Sequence, residues 1–240
     1  MANRLLAAGL ALAGALAASA CGPLTSPSSN AAAAPAHGAA ARGAPALAQL
    51  DGLPVRAQSS LAGYRREAFG PAWSDEGTVE LSHNQCPTRQ DLLARDLDDI
   101  VRAADGCTVD SGVLHDRYTG RTIHFRRGPR TSLAVQIDHV VPLALAWQSG
   151  AQELTPGQRL NLANDPENLI ATDGPTNAGK GAKDASAWMP PRAEAHCWYA
   201  SAQVRVKAKY QLTVTAQEKT AIRTALASCP AAGQNSAGTR

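Results

Sequence analysis

Apolar positions recur at two different periods along this chain, and the change of period marks out its elements. In "TRQDLLARDLDDIV", Leu92, Leu93, Leu97 and Ile100 fall near helical spacing, which predicts one helix from about Thr88, with Thr88 as its N-cap. "GCTVDSGVLHDRYTGRTIHF" alternates and breaks at Thr119-Gly120, the pattern of a β-hairpin. "LAVQIDH" alternates again, with Leu133, Val135 and Ile137 on one side, and predicts a strand ending on two ionisable residues, Asp138 and His139. Beyond Pro142 the period lengthens. "LALAWQSG" predicts a short helix stopped at Gly150, and "TPGQRLNLAN" a second helix with a capping box from Thr155 and Gln158. "NLIAT" (168–172) is a short apolar strand. "GPTNAGKG" follows as a helix or turn, then "DASAWMPP" as one helical turn halted by prolines. Two further helices are expected, from Ala193 to Lys209 and from a Thr215 cap to about Ser228. The expected fold class is α+β, a strand pair surrounded by helices.

The two ends differ from this middle. Arg4, the apolar stretch Leu5–Ala18 and the small residues up to Cys21 have the make-up of an export signal over residues 1–20, and about 14 apolar residues are too few for a bilayer span. Cys21 at the junction points to a lipoprotein, membrane-anchored through that cysteine; ordinary cleavage after Ala20, giving a secreted protein, is the competing reading. Either places the mature chain outside the cytoplasm. Residues 21–48, rich in Ala, Pro and Ser, read as a flexible tether, 49–230 as the folded domain, and 231–240 as a disordered tail.

Export also explains the cysteines. Without Cys21 there are four, Cys86, Cys107, Cys197 and Cys229, which allow three pairings. The pairing local in sequence, Cys86–Cys107 and Cys197–Cys229, is the one expected here. No CxxC occurs, which argues against a zinc knuckle. The net charge of +3 is too small to announce a nucleic-acid partner by itself. Its distribution says more, since Arg117, Arg121, Arg126, Arg127 and Arg130 fall within fourteen residues. Alone such a strip is a solvated hairpin face; beside a phosphate-cutting site it becomes a backbone contact.

Asp138 and His139 are followed, in order, by Asn168 and by Asn177-Ala-Gly-Lys180-Gly. Cleaving a phosphodiester needs a base for the attacking water and positive charge for the phosphate. His139 suits the base because imidazole titrates near neutrality. Asp138 and Asn177 offer hard oxygen ligands for Mg²⁺ or a similar ion. In "DHVVPL", "NL" and "NxxKG" the chain resembles the HNH, or His-Me finger, endonucleases, whose core is the ββα-metal element. A narrower resemblance covers about residues 50–229, through "YRREAFGPAW", "CPTRQDLLARDL", "SGVLHDRYTG" and "LANDPENLIATDGPTNAGKGAKDASAWMPP". It is to exported bacterial HNH proteins related to the C-terminal nuclease domain of GmrSD-type restriction enzymes.

The resemblance implies a ββα-metal core and one divalent cation, Mg²⁺ or alternatively Mn²⁺, held by Asp138 and Asn177. It implies His139 as general base, Asn168 bonded across the loop to orient His139, and products with 5′-phosphate and 3′-hydroxyl ends. Lys180, Lys183, Arg121 and Arg126 are the expected contacts to the DNA backbone, and the protein is expected to act as a monomer with weak sequence selectivity. Asn164, Asp165 and Trp188 recur in the pattern and are assigned to loop and core order. His115 and His124 read as hairpin-surface residues, and Pro87 departs from the Cys-Asp-Thr-Arg usual in that group. The competing function is a non-catalytic cell-envelope lipoprotein that keeps the fold as a scaffold; a hydrolase of some other phosphodiester would share the site.

Overall fold

The computed structural model describes residues 43–229. The expected signal, Cys21 and the C-terminal tail lie outside these residues. The first helix, α1 (Gly43–Gly52), starts inside the stretch expected to be tether, because Ala46 and Leu50 are buried in the core. No helix among the described residues is long and apolar enough to cross a membrane.

The stretch expected to form one long helix divides in two. Helix α2 (Thr88–Asp96) ends where Leu97 turns extended, and Leu97–Arg102 becomes strand β1. Leu92 and Leu93 are buried in the helix, while Leu97 is buried from the strand, so one apolar series serves both periods. Cross-strand pairing overrides the helical spacing: β1 lies antiparallel on β2 (Val109–His115), with Leu97 opposite Leu114. Thr88 is not the cap. Pro87 holds that position without a side-chain acceptor, and the Thr88 hydroxyl donates instead to the Ser74 carbonyl at 2.9 Å. Strand β3 (Thr122–Arg126) completes the hairpin and a three-stranded sheet in the order β1-β2-β3.

A second sheet pairs β4 (Val135–His139) antiparallel with β5 (Leu169–Asp173), from Val135 opposite Asp173 to His139 opposite Leu169. Between them run α3 (Leu143–Gln148) and α4 (Pro156–Asn164). Thr155 and Gln158 form the expected capping box, and Gly150 takes the left-handed conformation (φ 114°) that stops α3. Helix α5 (Gly174–Lys180) follows β5 directly, with the Asp173 carboxylate accepting from the Thr176 backbone N–H at 2.9 Å. "DASAWMPP" forms a turn closed on the Asp184 carbonyl. Helices α6 (His196–Lys209) and α7 (Ala216–Ala227) close the fold.

Helix α2 covers both sheets, with Leu92, Leu93, Phe125, Val135, Ile137 and Leu169 in one cluster. Leu50, Val204, Ile222 and Leu226 make a second core between α1, α6 and α7. Disulfides Cys86–Cys107 and Cys197–Cys229 form as expected, tying the start of α2 to the β1–β2 turn and α6 to the end of α7. At the join of β5 and α5 a Cβ on Gly174 would stand 2.0 Å from the Leu133 carbonyl oxygen. Gly174→Ala should therefore lower stability by about 2–3 kcal/mol, read as a fall in the urea midpoint at constant slope.

Candidate functional site

Alternation along β4 divides its side chains between two neighbours. Gln136 and Asp138 are two apart and face α5, where Asn177 and Lys180 are three apart. The contacts follow that geometry: Asn177 Nδ2 donates to Gln136 Oε1 at 2.9 Å, and Lys180 Nζ donates to Asp138 Oδ1 at 2.9 Å and to the His139 carbonyl at 2.7 Å. The second Asp138 oxygen accepts from the Tyr118 hydroxyl at 2.8 Å. Tyr118 comes from the hairpin turn, which Asp116 docks on β5 by accepting from Thr172 Oγ1 at 2.7 Å. Asp138, Lys180 and Tyr118 are all buried. Burial pushes the Asp138 carboxyl up and the Lys180 ammonium down, and each one's charge partly restores the other.

His139 turns the other way. Its Nε2 lies 2.9 Å from the Ala163 carbonyl, which can only accept, so the neutral ring carries its proton on Nε2 and leaves Nδ1 as an acceptor. Trp73 lies nearly parallel to the imidazole, with ring centroids 6.2 Å apart and planes at 15°. Burial pushes the His139 pKa down to about 3, the bond to Ala163 opposes the shift, and the charges of Arg66 and Lys180 add to it. Trp73 itself sits at φ 59°, a left-handed backbone that costs a bulky residue roughly 1–3 kcal/mol. Its carbonyl is held by the Thr88 N–H at 3.2 Å.

Asn168 is fully buried behind the pair. Its Oδ1 accepts from the Val141 N–H at 2.8 Å, and its Nδ2 donates to the Leu162 carbonyl at 3.1 Å and the Val141 carbonyl at 3.3 Å. It makes no bond to His139. It fastens the strand exit to residue 162, next to the carbonyl that holds the imidazole, so its influence on His139 runs through backbone. No part of it reaches solvent to touch a substrate.

One open cavity of about 420 Å³ is bordered by Asp138, His139 and Asn177, together with Gln136, Arg66 and Arg89. The other expected contacts fare differently. Lys180 has no exposed surface and is spent on Asp138 and the His139 carbonyl, so the expectation that it meets phosphate is corrected to a role inside the fold. Lys183 is exposed just beyond Ala182 of the cavity wall, with Nζ on the Gly179 carbonyl at 2.6 Å. Arg121 pairs with Asp173 at 3.3 Å, and Arg126 projects from β3 opposite the buried Phe125; neither borders the cavity. His115 and His124 are exposed hairpin residues, as expected. The cations that do border it, Arg66 and Arg89, were missed, as were Trp73 and Tyr118. All but Arg89 lie in "YRREAFGPAW" and "SGVLHDRYTG", two segments already set apart by their resemblance, and Arg89 lies in a third, "CPTRQDLLARDL".

Among the described residues no three His, Cys, Asp or Glu side chains gather as a metal cluster. Three side chains bring amide or carboxylate oxygens to this cavity, Gln136, Asp138 and Asn177, and both Asp138 oxygens already accept from Lys180 and Tyr118. Side-chain oxygens of this kind are ligands for hard cations.

These features define an α+β domain, closed by two disulfides, with a buried Asp-His pair at a strand end beside an open cavity. The model of the GmrSD restriction endonuclease C-terminal domain matches residues 75–225, more than half of the chain. A relative from the fungus Arthroderma benhamiae, described as an uncharacterized secreted protein, is 37% identical over 182 residues, covering 75% of this chain and 82% of that one. No solved structure matches. The chain belongs to the family of GmrSD restriction endonuclease C-terminal domains.

Two outcomes test the geometry. Lys180→Met, which strands a buried carboxylate, should cost about 3–5 kcal/mol in urea unfolding, whereas Lys183→Met should stay within about 0.5 kcal/mol of wild type. His139 is held neutral in the fold but charges at about 6.5 when unfolded, so its contribution is complete above that pH and is lost as pH falls towards 3. Wild type should lose up to roughly 1.4 kcal/mol per pH unit through this group, and His139→Asn should remove that slope from the stability curve between pH 6.5 and 3.

Proposed function

We propose that this protein is an exported, metal-dependent HNH endonuclease that hydrolyses DNA phosphodiester bonds, with β4, β5 and α5 as its ββα-metal element. The observation that carries the reading is the placing of His139: fixed through Nε2, with Nδ1 left as an acceptor, and bordering the same cavity as Asp138 and Asn177. In that state Nδ1 takes the proton of an attacking water. The water oxygen bonds to phosphorus, the P–O3′ bond breaks, O3′ takes a proton from solvent water, and the strands end in 5′-phosphate and 3′-hydroxyl. Asp138 and Asn177 would hold a divalent cation, Mg²⁺ or Mn²⁺, which when bound would supply positive charge for the phosphate and the departing oxygen.

The protein's own groups position everything else. Lys180 and Tyr118 fix the Asp138 carboxylate, and Asn168 fixes the loop whose Ala163 carbonyl aims His139. Arg66 and Arg89, with Lys183 at the rim, are placed to meet the strand's phosphates, which gives affinity without base reading. The disulfides and a relative described as secreted support a place outside the cytoplasm. Attachment through a lipid on Cys21, and action as a monomer, belong to the same proposal.

The test is plasmid nicking by the purified mature chain. Supercoiled DNA should be nicked with Mg²⁺ or Mn²⁺ and left intact in EDTA, and His139→Ala should slow the reaction by about a hundredfold or more. Nicking that survives EDTA or the loss of His139 overturns the mechanism. Absence of nicking with any metal favours the scaffold reading.

A further inference from the structure

Behind the wall formed by Trp73 and His139 lies a second cavity, of about 400 Å³, which the hydrolysis described above does not use. Phe69, Trp73, Leu143 and Ala163 give it apolar walls, and Arg66 and His139 border both cavities. A mostly apolar pocket with a few polar groups, in the size range of roughly 300–1,000 Å³, is the usual make-up of a small-molecule site. One polar group here is without a partner. Asn164 borders the cavity and is 2% exposed. Its Nδ2 donates to the Leu160 carbonyl at 2.9 Å, which fixes which way the amide points, and its Oδ1 has no hydrogen-bond partner. A buried acceptor left unpaired is costly, and because Oδ1 is itself closed off, a donor in the cavity relieves it only once the Asn164 side chain shifts.

Three features call for one kind of occupant: a flat apolar body, an N–H donor on its edge, and a link to a phosphate held next door. We infer that this cavity binds the unstacked nucleobase of a nucleotide flanking the scissile phosphate. The base lies against Trp73 and Phe69, Arg66 spans the step from base to phosphate, and a shift of the Asn164 amide brings its Oδ1 to the edge N–H of the base. Trp73 keeps its left-handed backbone (φ 59°) at the partition between the two cavities, where its ring serves both. A base inside an intact duplex cannot enter without leaving its stack, so single strands and locally opened sites are the preferred substrates. The inference rests on the nuclease reading for its phosphate but makes a separate claim about the base.

The experiment therefore has two arms. In EDTA, the wild-type chain is titrated with dAMP and dCMP, and with 2-deoxyribose 5-phosphate as the baseless control, following tryptophan fluorescence. The nucleotides should bind at least tenfold more tightly than the sugar phosphate, and Trp73→Ala should erase that difference while Trp73→Phe retains most of it. With Mg²⁺, a labelled single-stranded oligonucleotide with a mapped cut is compared with the same strand carrying an abasic nucleotide beside the cut. The intact strand should be cut with roughly tenfold higher kcat/KM. Trp73→Ala and Asn164→Ala should bring that ratio towards one, which a general loss of activity would not. Equal binding of nucleotide and sugar phosphate, no binding of either, or an intact-to-abasic ratio of one overturns the base site. Base-selective binding without cleavage of any strand overturns the nuclease reading and leaves the base site standing.

Discussion

The buried ion pair between Asp138 and Lys180 is the contact on which the rest of the site depends. It joins the end of β4 to the end of α5, and Lys180 reaches on to the His139 carbonyl, so one ammonium fixes both halves of the Asp-His pair. Tyr118 brings the hairpin to the same carboxylate. Three elements distant in sequence thus meet on one buried charge. A buried pair contributes little net stability, because desolvation offsets most of the attraction, but breaking it is expensive. Its value is specification: only the register that puts Ile137 opposite Ala171 brings the partners together.

The two cavities divide the labour around that anchor. One is bordered by the polar groups of β4 and α5, the other by the apolar residues of the 66–73 segment and by Asn164. His139 stands between them with its proton fixed on Nε2 by a backbone carbonyl. Burial keeps the ring neutral far below its ordinary range, and the same burial weakens its hold on a proton.

Much of this was legible in the sequence. The capping box at Thr155, the glycine stop at Gly150, the hairpin and both short strands follow from local chemistry that tertiary contacts leave alone. Helix α2 was overextended because Leu97 and Ile100 satisfy the helical period as well as the strand period, and only the partner strand decides. Lys180 was misassigned for a related reason: a lysine near a helix end reads as solvated, and only a buried carboxylate three-dimensionally beside it changes that. Asn168 bonds across its loop to Val141 and Leu162 and not to His139, so any reach to the imidazole is by backbone, which side-chain identity cannot express. Arg66 and Trp73 carry no motif of their own; their position depends on a loop whose path is set by Thr88 and by the strained turn at Trp73.

The family match begins at residue 75, two residues beyond Trp73. The segment that walls the second cavity therefore precedes the stretch shared with the family model, while Asp138, His139, Asn168, Asn177 and Lys180 all fall within it. The second cavity is thus walled from both sides of that boundary, by residues 66–73 before it and by His139, Leu143, Ala163 and Asn164 after it. A change within residues 66–73 therefore alters one wall of that cavity while leaving β4, β5 and α5 as they are.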